Sequence, residues 1–233
     1  MSNSFVVDPS TTVSQAVNTR RSVRGYLDTP VSESVIREIL GTASRSASGG
    51  NLQPWKVSVL AGDARDEFVK VVAERMKETP FGEGPEYDIY PRELENPYRQ
   101  RRGKVAGDMY DLVGIERDDQ AARAKQMSLN FEFFGAPVGL FISIDRCMGP
   151  PQYSDLGIFL QSIMLLAREK GLHTCPQEAW SLWGKSIREF TNIPETDLVF
   201  CGVALGYADP EAVINDLYTD RASVDEFATF RGF

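Results

Sequence analysis

The chain has 233 residues, of which 42% are hydrophobic and 25% charged, and its formal net charge is -8. This length fits one large domain or two small ones, and the apolar fraction can form a core without disulfides. The acidic balance argues against nucleic-acid binding, which needs a basic surface to neutralise phosphates, and suits a soluble cytoplasmic protein.

The N-terminal part predicts a short arm followed by two helices. Residues 1–10 lack the basic region and apolar run of a signal peptide, so we expect an arm without a targeting role. Thr12 and Gln15 fit a capping box, with Thr12 as N-cap and Gln15 reaching back, and the first helix runs to about Thr19. A second helix starts near Ser32. It presents one apolar face, made of Val35, Ile36, Ile39, Leu40 and Ala43.

The central part alternates between regular and irregular segments. Residues 55–61 alternate in hydrophobicity and predict a strand, and residues 63–77 predict an amphipathic helix. Residues 80–98 contain four prolines, two glycines and three tyrosines, which predicts a lid or surface excursion. Residues 101–113 and 118–134 then predict two helices.

The C-terminal part contains the most apolar pattern of the chain. Residues 138–144 and 198–207 predict strands, and residues 180–190 predict a helix. The helix predicted over residues 154–170 is apolar nearly all round, so we expect it to be central and covered in part by a partner subunit. The tail over 208–233 is polar with late aromatic residues. Helices thus outnumber about four strands, which indicates an α+β fold or a three-layer α/β sandwich.

Several familiar catalytic and nucleotide-binding sites are excluded by their missing motifs. The single histidine, His173, has no G-x-S-x-G partner motif for a hydrolase and could supply at most one zinc ligand. The chain has no P-loop, and no G-x-G-x-x-G follows a strand. Cys147, Cys175 and Cys201 are far apart in sequence, so we interpret them as small buried hydrophobic residues. A phosphorylated cofactor would therefore have to be held by cationic side chains.

Residues 20–24, Arg-Arg-Ser-Val-Arg, could provide such a phosphate site. Arginine side chains match phosphate oxygens in bidentate geometry. In an extended segment, Arg20, Ser22 and Arg24 would share one face. The alternative is a solvated basic end of the first helix that offsets the helix dipole, and the motif alone favours this alternative.

Residues 46–55, Ser-Ala-Ser-Gly-Gly-Asn-Leu-Gln-Pro-Trp, form the second distinctive segment. Short hydroxyl side chains and two glycines let a backbone approach a planar polar ring closely. Asn51 can donate and accept hydrogen bonds. The alternative is an ordinary helix-to-strand loop, which is less plausible beside the arginine motif.

These two motifs and three later segments resemble the FMN-dependent nitroreductase family. RRSVR is followed about 25 residues later by SASGGNLQPW, then by GLHTCPQEAW at 171–180, CGVALGYADP at 201–210 and DRASVDEF at 220–227. Their order and spacing match the family over nearly the whole chain. The resemblance implies an α+β fold, specifically a nitroreductase-like three-layer α/β/α sandwich in an intertwined homodimer. It also implies a single FMN-binding domain over residues 11–233, with a lid-like excursion near 80–100.

The resemblance further implies which residues bind FMN. The FMN phosphate and ribityl chain would be held by the first motif and a late basic residue: Arg20, Arg21, Ser22, Arg24 and Arg221. The flavin of the other subunit would be approached by the loop residues Ala47, Ser48, Gly49 and Asn51. Pro176, Gln177 and Glu178 would form the segment that places backbone donors near the reactive edge of the flavin. Gly206 would form a turn that closes this side of the site, and Asn130 is a further candidate for the pyrimidine edge.

The reaction implied by the resemblance is a ping-pong transfer of two electrons from NADH or NADPH to a nitroaromatic or similar electron-poor acceptor. The flavin carries the chemistry, so no catalytic side chain and no metal is expected. Within the irregular segment, Tyr90, Tyr98 and Arg99 are candidates for acceptor binding, because aromatic rings can stack on such acceptors. Packing at the dimer surface is an equal alternative for these residues.

Other functions stay open at this point. Relatives with this fold reduce quinones or enones, remove halogen from aryl substrates, or cleave a flavin. A protein that binds or stores flavin without turnover belongs to a different class, as does a structural helical protein without flavin. The sequence does not distinguish NADH from NADPH or identify the physiological acceptor.

Overall fold

A four-stranded antiparallel sheet forms the centre of the molecule, which is a computed structural model describing residues 5–233. The strand order is β1-β2-β4-β3. The strands are β1 (Lys56–Ala61), β2 (Val138–Asp145), β3 (His173–Gln177) and β4 (Asp197–Gly206). The strands predicted at 55–61, 138–144 and 198–207 are confirmed within one residue at each end.

Strand β2 lies between β1 and β4 and is buried along almost its whole length. Successive side chains of a strand point to opposite faces. Leu140 and Ile142 therefore belong to one apolar cluster, whereas Phe141 belongs to a second. Because both faces are covered, the mixed helix-and-sheet architecture expected from the sequence is confirmed.

Three helices lie on one side of the sheet: α1 (Val13–Thr19), α2 (Glu33–Ala43) and α6 (Pro150–Glu169). Helix α2 buries Ile36, Ile39 and Ala43, as its periodicity predicts. Helix α6 buries most of its apolar residues against the sheet and against α2, but leaves Ile158 45% exposed.

The opposite face is covered by α3 (Gly62–Glu78), α7 (Gly184–Thr191) and a cluster of aromatic rings. Phe68, Phe141 and Trp180 pack with ring centroids 5.3–5.5 Å apart. Aromatic pairs at such distances add to the stabilisation from burial alone. The remaining helices, α4 (Tyr98–Leu112), α5 (Gln120–Ser128) and the short α8 (Val224–Phe227), lie outside this core.

Residues 6–10 are held against the C-terminal end of α6. Thr12 caps α1 by accepting the Gln15 N–H at 3.1 Å, as predicted, but the Gln15 side chain accepts from the N–H of Thr11 rather than of Thr12. The buried guanidinium of Arg168 donates to the carbonyls of Val6 and Asp8. These bonds fix the described part of the predicted arm; its residues 1–4 lie outside the described range.

Two predicted helices are shorter than expected. The helix predicted over 118–134 ends at Ser128 and is followed by a 3-10 turn in which Phe133 and Phe134 have φ of 52° and 54°. A positive φ is unfavourable for such residues, but both rings are buried in the aromatic cluster, and that burial outweighs the local preference. The first part of the helix predicted at 180–190 is likewise a 3-10 turn, Glu178–Trp183.

The segment between α3 and α4 contains no helix or strand, and its two parts differ in their contacts. Glu83 accepts hydrogen bonds from Arg75 and Ser186, and the Glu86 carboxylate lies between two arginines, Arg146 and Arg188. These acids attach the first part to the α7 side of the sheet. Most residues from 88 to 97 are exposed.

Across the described residues, 5–233, no helix has both the length and the apolar character needed to cross a membrane.

Candidate active site

The arginine motif lies in an extended segment, residues 20–27, that crosses one end of the sheet. The Val23 N–H donates to the Thr174 carbonyl at 3.1 Å, and the Leu27 N–H donates to the Tyr207 carbonyl at 2.9 Å. Val23 is fully buried on one side of this segment. Because side chains alternate along extended backbone, the residues on either side of Val23 point the other way, toward a cavity.

The cavity has a volume of about 320 Å³ and is strongly cationic. Four arginines and one serine line it: Arg20, Arg21, Ser22, Arg24 and Arg221. Among the described residues, no Asp or Glu lines it. Burial lowers the pKa of Arg20, and the nearby charge of Arg221 lowers it further. The structure thus brings together the five residues that the sequence assigns to phosphate binding, around a space that a di-anionic group would stabilise.

The arginines of the cavity differ in how firmly they are held. The Arg21 guanidinium lies over the Tyr218 ring, 4.9 Å from its centroid, and donates to two backbone carbonyls at 3.4 Å. Arg24 donates to the Ser22 carbonyl at 3.1 Å. Arg221 uses Nη1 for bonds to Thr219 and to the Asp220 carbonyl. Its Nε and Nη2 have no bond to any described residue and can reach a ligand.

A buried asparagine that the sequence analysis missed holds the arginine segment in place. Asn215 is 2% exposed and accepts the Arg24 N–H at 2.9 Å. Its amide also donates to the carbonyls of Gly25 at 2.8 Å and Asp209 at 2.9 Å. The only signal in the sequence is a polar residue beside Val213 and Ile214, which does not specify its partners.

The glycine loop, residues 47–53, lies elsewhere in the chain and is mostly exposed. It contains a 3-10 turn, Gly49–Asn51, and the backbone of Gly50, Asn51 and Gln53 is left-handed, with φ of 58°, 56° and 49°. The Ser48 hydroxyl accepts the Gln53 N–H at 3.1 Å, which closes the loop on itself.

Thr19, the residue before the arginine motif, and the glycine loop contact opposite ends of α6. The Gly49 N–H points to Asp155, near the start of the helix, whereas Thr19, just before the arginine motif, lies 3.4 Å from Arg168 near its end. Thirteen residues separate Asp155 from Arg168, which corresponds to roughly 20 Å along a helix. The loop residues Ala47, Ser48, Gly49 and Asn51 do not line the cavity. One chain therefore does not bring these two predicted parts of the site together.

The end of β3 brings a third group of predicted residues next to Asn130. Gln177 is 2% exposed, and its Nε2 donates to the Asn130 carbonyl at 2.7 Å. Its Oε1 accepts from Trp180 at 3.3 Å, so both ends of the Gln177 amide are already bonded within the chain. Pro176 pairs with Val203 in the sheet, and Glu178 is exposed at the start of the following turn.

Strand β3 also contacts the arginine segment directly, because Ser22 forms an isolated bridge with Thr174. The next residue, Cys175, is fully buried, and burial raises the pKa of its thiol to about 11. Gln177 lies three residues beyond Thr174, or roughly 10 Å along a strand. The arginine cavity and the Gln177–Asn130 contact thus lie within the reach of one elongated ligand.

Gly206 does not form a turn, contrary to the expectation from the sequence. It is the last residue of β4 and pairs with His173. A Cβ atom at this position would lie 2.6 Å from Pro137 Cδ and 3.2 Å from the Tyr26 ring. Close packing of the sheet end beneath the arginine segment, rather than a turn, explains the glycine.

The three candidates for acceptor binding are separated in the structure. Tyr90 lines a cavity of about 1170 Å³ that shares Val105, Thr219 and Arg221 with the arginine cavity. Arg99 lines a different groove of about 660 Å³, and the exposed Tyr98 lines neither space. Arg102 covers the Tyr90 ring, with its guanidinium carbon 4.0 Å from the ring centroid.

His173 and the three cysteines lie outside these spaces. His173 is 1% exposed, and burial together with Arg168 lowers its pKa to about 4. Cys175 and Cys201 are buried as predicted, but Cys147 is exposed because it lies in the turn after β2. No group of three or more His, Cys, Asp or Glu side chains suited to a metal occurs among the described residues.

Comparisons with known proteins agree with this architecture. A family model described as the nitroreductase family matches residues 17–207. The chain is 37% identical over 218 residues to a chloronitrobenzene nitroreductase of Comamonas testosteroni, covering 94% of this chain and 96% of the relative. It is 37% identical over 220 residues to a 4-nitrobenzoate reductase of Pseudomonas putida, covering 93% and 94%. The crystal structure of the FMN and NADPH-dependent nitroreductase NfnB from sphigopyxis sp. strain HMH superposes with a TM-score of 0.92 at 43% identity, covering 95% of this chain and all of that one.

Proposed function

The chain belongs to the nitroreductase family, and on that premise we propose that it is an FMN-dependent NAD(P)H oxidoreductase. It reduces nitroaromatic or similar electron-poor acceptors by two electrons, with ping-pong turnover. The observation that carries this function is the cavity lined by four arginines without an acidic residue among its described lining.

The residues of the cavity fit the phosphate of FMN. Four guanidinium groups around about 320 Å³ repel one another, and a phosphate of about two negative charges offsets that repulsion. Arg20, Arg24 and Arg221 would hold the phosphate by charge-assisted hydrogen bonds, and the Ser22 hydroxyl would donate to it or to the ribityl chain. Arg21 keeps its contacts to the Tyr218 ring and the backbone and contributes positive charge.

The end of β3 orients the other end of the cofactor. The Gln177 side chain is fully bonded to Asn130 and Trp180, so we propose that this segment acts through the backbone N–H groups of Gln177 and Glu178, since Pro176 has none. Asn130, whose carbonyl accepts from Gln177, would lie at the pyrimidine edge. When bound, FMN supplies the hydride and electron transfer between NAD(P)H and the acceptor. Backbone and amide donors placed here would stabilise negative charge on the ring.

The glycine loop completes the site of a second subunit. The loop contacts Asp155, which lies roughly 20 Å along α6 from Arg168, the residue beside the arginine segment. This separation supports a homodimer in which each loop serves the partner's flavin. The exposed apolar side chains of Leu52 and Ile158, in and near this region, support burial by a partner. We therefore propose an intertwined homodimer of three-layer α/β/α subunits, each a single domain over residues 11–233.

Tyr90 is our proposed acceptor contact within the lid-like excursion, because its cavity adjoins the arginine cavity. Replacing Tyr90 by alanine should change the Michaelis constants for aromatic acceptors, since a stacking surface is lost. Unchanged acceptor preference and unchanged Michaelis constants would remove Tyr90 from this role. Tyr98 and Arg99, which lie apart from that cavity, remain weaker candidates.

The decisive experiment is the visible spectrum of the purified protein before and after anaerobic addition of NADH and of NADPH. We expect a flavin spectrum that bleaches with a reduced nicotinamide and recovers when a nitroaromatic is added. Flavin that neither nucleotide bleaches would instead indicate a flavin-binding protein without turnover. A colourless protein that does not bind added FMN would contradict the proposal entirely.

A panel of quinones, enones and halogenated aryl acceptors under the same conditions would separate the nitroreductase function from the other reactions known on this fold. The proposal also places the protein in the cytoplasm, where NAD(P)H is available.

A further inference from the structure

Asp155 is a buried carboxylate without an obvious reason for its position. It lies in α6, is 6% exposed and neighbours apolar residues such as Leu156 and Phe159. Both carboxylate oxygens lie 3.3 Å from the same donor, the N–H of Gly49. Among the described residues, no Lys or Arg pairs with it, and the Gly49 N–H is its only hydrogen-bond donor. Burying a carboxylate among apolar residues costs folding free energy, and its one hydrogen bond offsets only part of that cost. Its position therefore calls for a functional explanation.

The loop that Asp155 contacts is itself costly to form. Left-handed backbone is unfavourable for residues other than glycine, and both Asn51 and Gln53 adopt it, at φ of 56° and 49°. Such a conformation persists only where its surroundings determine it. The loop is exposed on its outer side, so the contacts that determine it must come from the chain beneath.

Two hydrogen-bonded contacts connect the start of the loop to α6. The hydroxyls of Ser46 and Ser162 lie 2.8 Å apart. Asp155, about two helical turns before Ser162 in α6, accepts the Gly49 N–H. The contact at Gly49 is the one inside the 3-10 turn, so it determines where the peptides of residues 49–51 point. The serine pair acts before the turn begins.

We propose that Asp155 is a positioning residue for the shared flavin site: its carboxylate fixes the Gly49 peptide and thereby aims the glycine loop at the partner's cofactor. This inference rests on the proposed function, in which the loop approaches the flavin. Asp155 acts through Gly49, and its effect on the cofactor follows from the orientation of the loop.

The first test compares FMN release from three holoenzymes after dilution, followed by the fluorescence of the free flavin. In Asp155→Ala the Gly49 N–H loses its acceptor, and release should be faster than in the wild type by about tenfold. In Asp155→Asn the side chain keeps an oxygen of the same shape that can accept from Gly49, so release should stay within about threefold of the wild type.

Glu83→Ala is the matched control for loss of stability. Glu83 is also an acid that accepts a backbone N–H, that of Ser186 at 2.9 Å, but on the opposite face of the sheet. The Glu83→Ala variant should have a lower melting temperature than the wild type but the same rate of FMN release. Wild-type release from Asp155→Ala, or equally fast release from Glu83→Ala, would overturn the proposal.

A second test uses mixed dimers, in which Asp155→Ala is combined with a chain carrying Arg20→Ala and Arg24→Ala. If the loop of one chain serves the arginines of the other, one of the two sites in a mixed dimer has both parts intact. Mixed dimers should therefore recover slow FMN release at half of their sites. Fast release at every site would overturn the action of Asp155 on the partner's flavin. The proposed function itself fails separately, if wild-type protein binds no FMN.

Discussion

The arginine segment and the glycine loop are equally distinct in sequence, yet they are supported in very different ways. Residues 20–27 are hydrogen-bonded to the start of β3 and to the residue after β4, both at one end of the sheet, and are clamped by the buried Asn215. Residues 47–53 are mostly exposed and rest on α6 through Asp155 and a serine pair. One half of the proposed site is therefore built into the core, whereas the other half is a surface feature that a partner subunit would complete.

This difference predicts that damage to the arginine segment affects both cofactor binding and folding, whereas damage to the loop affects cofactor binding alone. Four predictions test it, from the largest expected effect to the smallest.

The double variant Arg20→Ala with Arg24→Ala should lower FMN affinity by at least about 100-fold. Each arginine is expected to make a charge-assisted hydrogen bond of about 1.5–3 kcal/mol to the phosphate. The measurement is flavin content after exhaustive dialysis, followed by fluorescence titration with FMN. Arg37→Ala removes an exposed arginine that pairs with Glu33 and should leave FMN affinity unchanged. Full flavin retention by the double variant would remove the arginine cavity from the site.

Replacing Asn215 by alanine should lower the free energy of unfolding by about 3 kcal/mol, because three backbone groups lose their buried partner. Urea denaturation followed by circular dichroism measures this change. Asn215→Asp retains the acceptor for the Arg24 N–H but loses both N–H donors to the carbonyls of Gly25 and Asp209. We therefore expect it to lower the free energy of unfolding at least as much as the alanine variant does. An alanine variant with the same urea midpoint of unfolding as the wild type would show that the arginine segment does not depend on Asn215.

The stability of the arginine half should also depend on pH through His173, which begins β3 beneath that segment. The folded-state pKa of His173 is lowered to about 4 by burial and by Arg168, whereas the unfolded chain keeps an ordinary value of about 6.5. Between these values the unfolded state binds a proton that the folded state excludes. The free energy of unfolding should therefore fall by up to about 3 kcal/mol as pH decreases through this window.

Carboxylates titrate in part of the same range, so the prediction concerns a difference between two proteins. His173→Gln should show a shallower loss of stability than the wild type between pH 6.5 and 4.5, measured by urea denaturation at each pH. Parallel curves for the two proteins would assign the pH dependence to other groups.

Gly50→Ala should affect the loop only slightly and leave the core intact. Its φ of 58° costs about 1 kcal/mol for a residue with a Cβ atom, which corresponds to about fivefold faster FMN release. Without flavin the melting temperature should fall by no more than about 2–4 °C, which is the shift that about 1 kcal/mol gives in a chain of this size. Gly41→Ala, in α2 with no atom near the added Cβ, is the control. A large loss of global stability in Gly50→Ala would contradict the claim that the loop, unlike the arginine segment, contributes little to the core.

The elements with clear periodicity could be predicted because their patterns are local. The alternating strand at 56–61 and the apolar face of α2 each follow from residue spacing within a few turns or residues. The family resemblance was confirmed for the same reason, since motif order and spacing are properties of the chain alone. The end of α5 was missed because long-range burial of Phe133 and Phe134 overrides the local helical preference.

The sequence by itself determined the family, the mixed helix-and-sheet class and the arginine motif, including five of the residues that line the cavity. Only the tertiary structure decided that Asn215 clamps this motif, that Gly206 packs beneath it and that Asp155 holds the glycine loop. It also decided that the glycine loop and Thr19, just before the arginine motif, contact opposite ends of α6. The physical reason is that each of these contacts joins residues far apart in sequence. The packing of the whole chain decides which buried donor bonds to which acceptor, and the spacing of residues along the sequence does not predict these pairs.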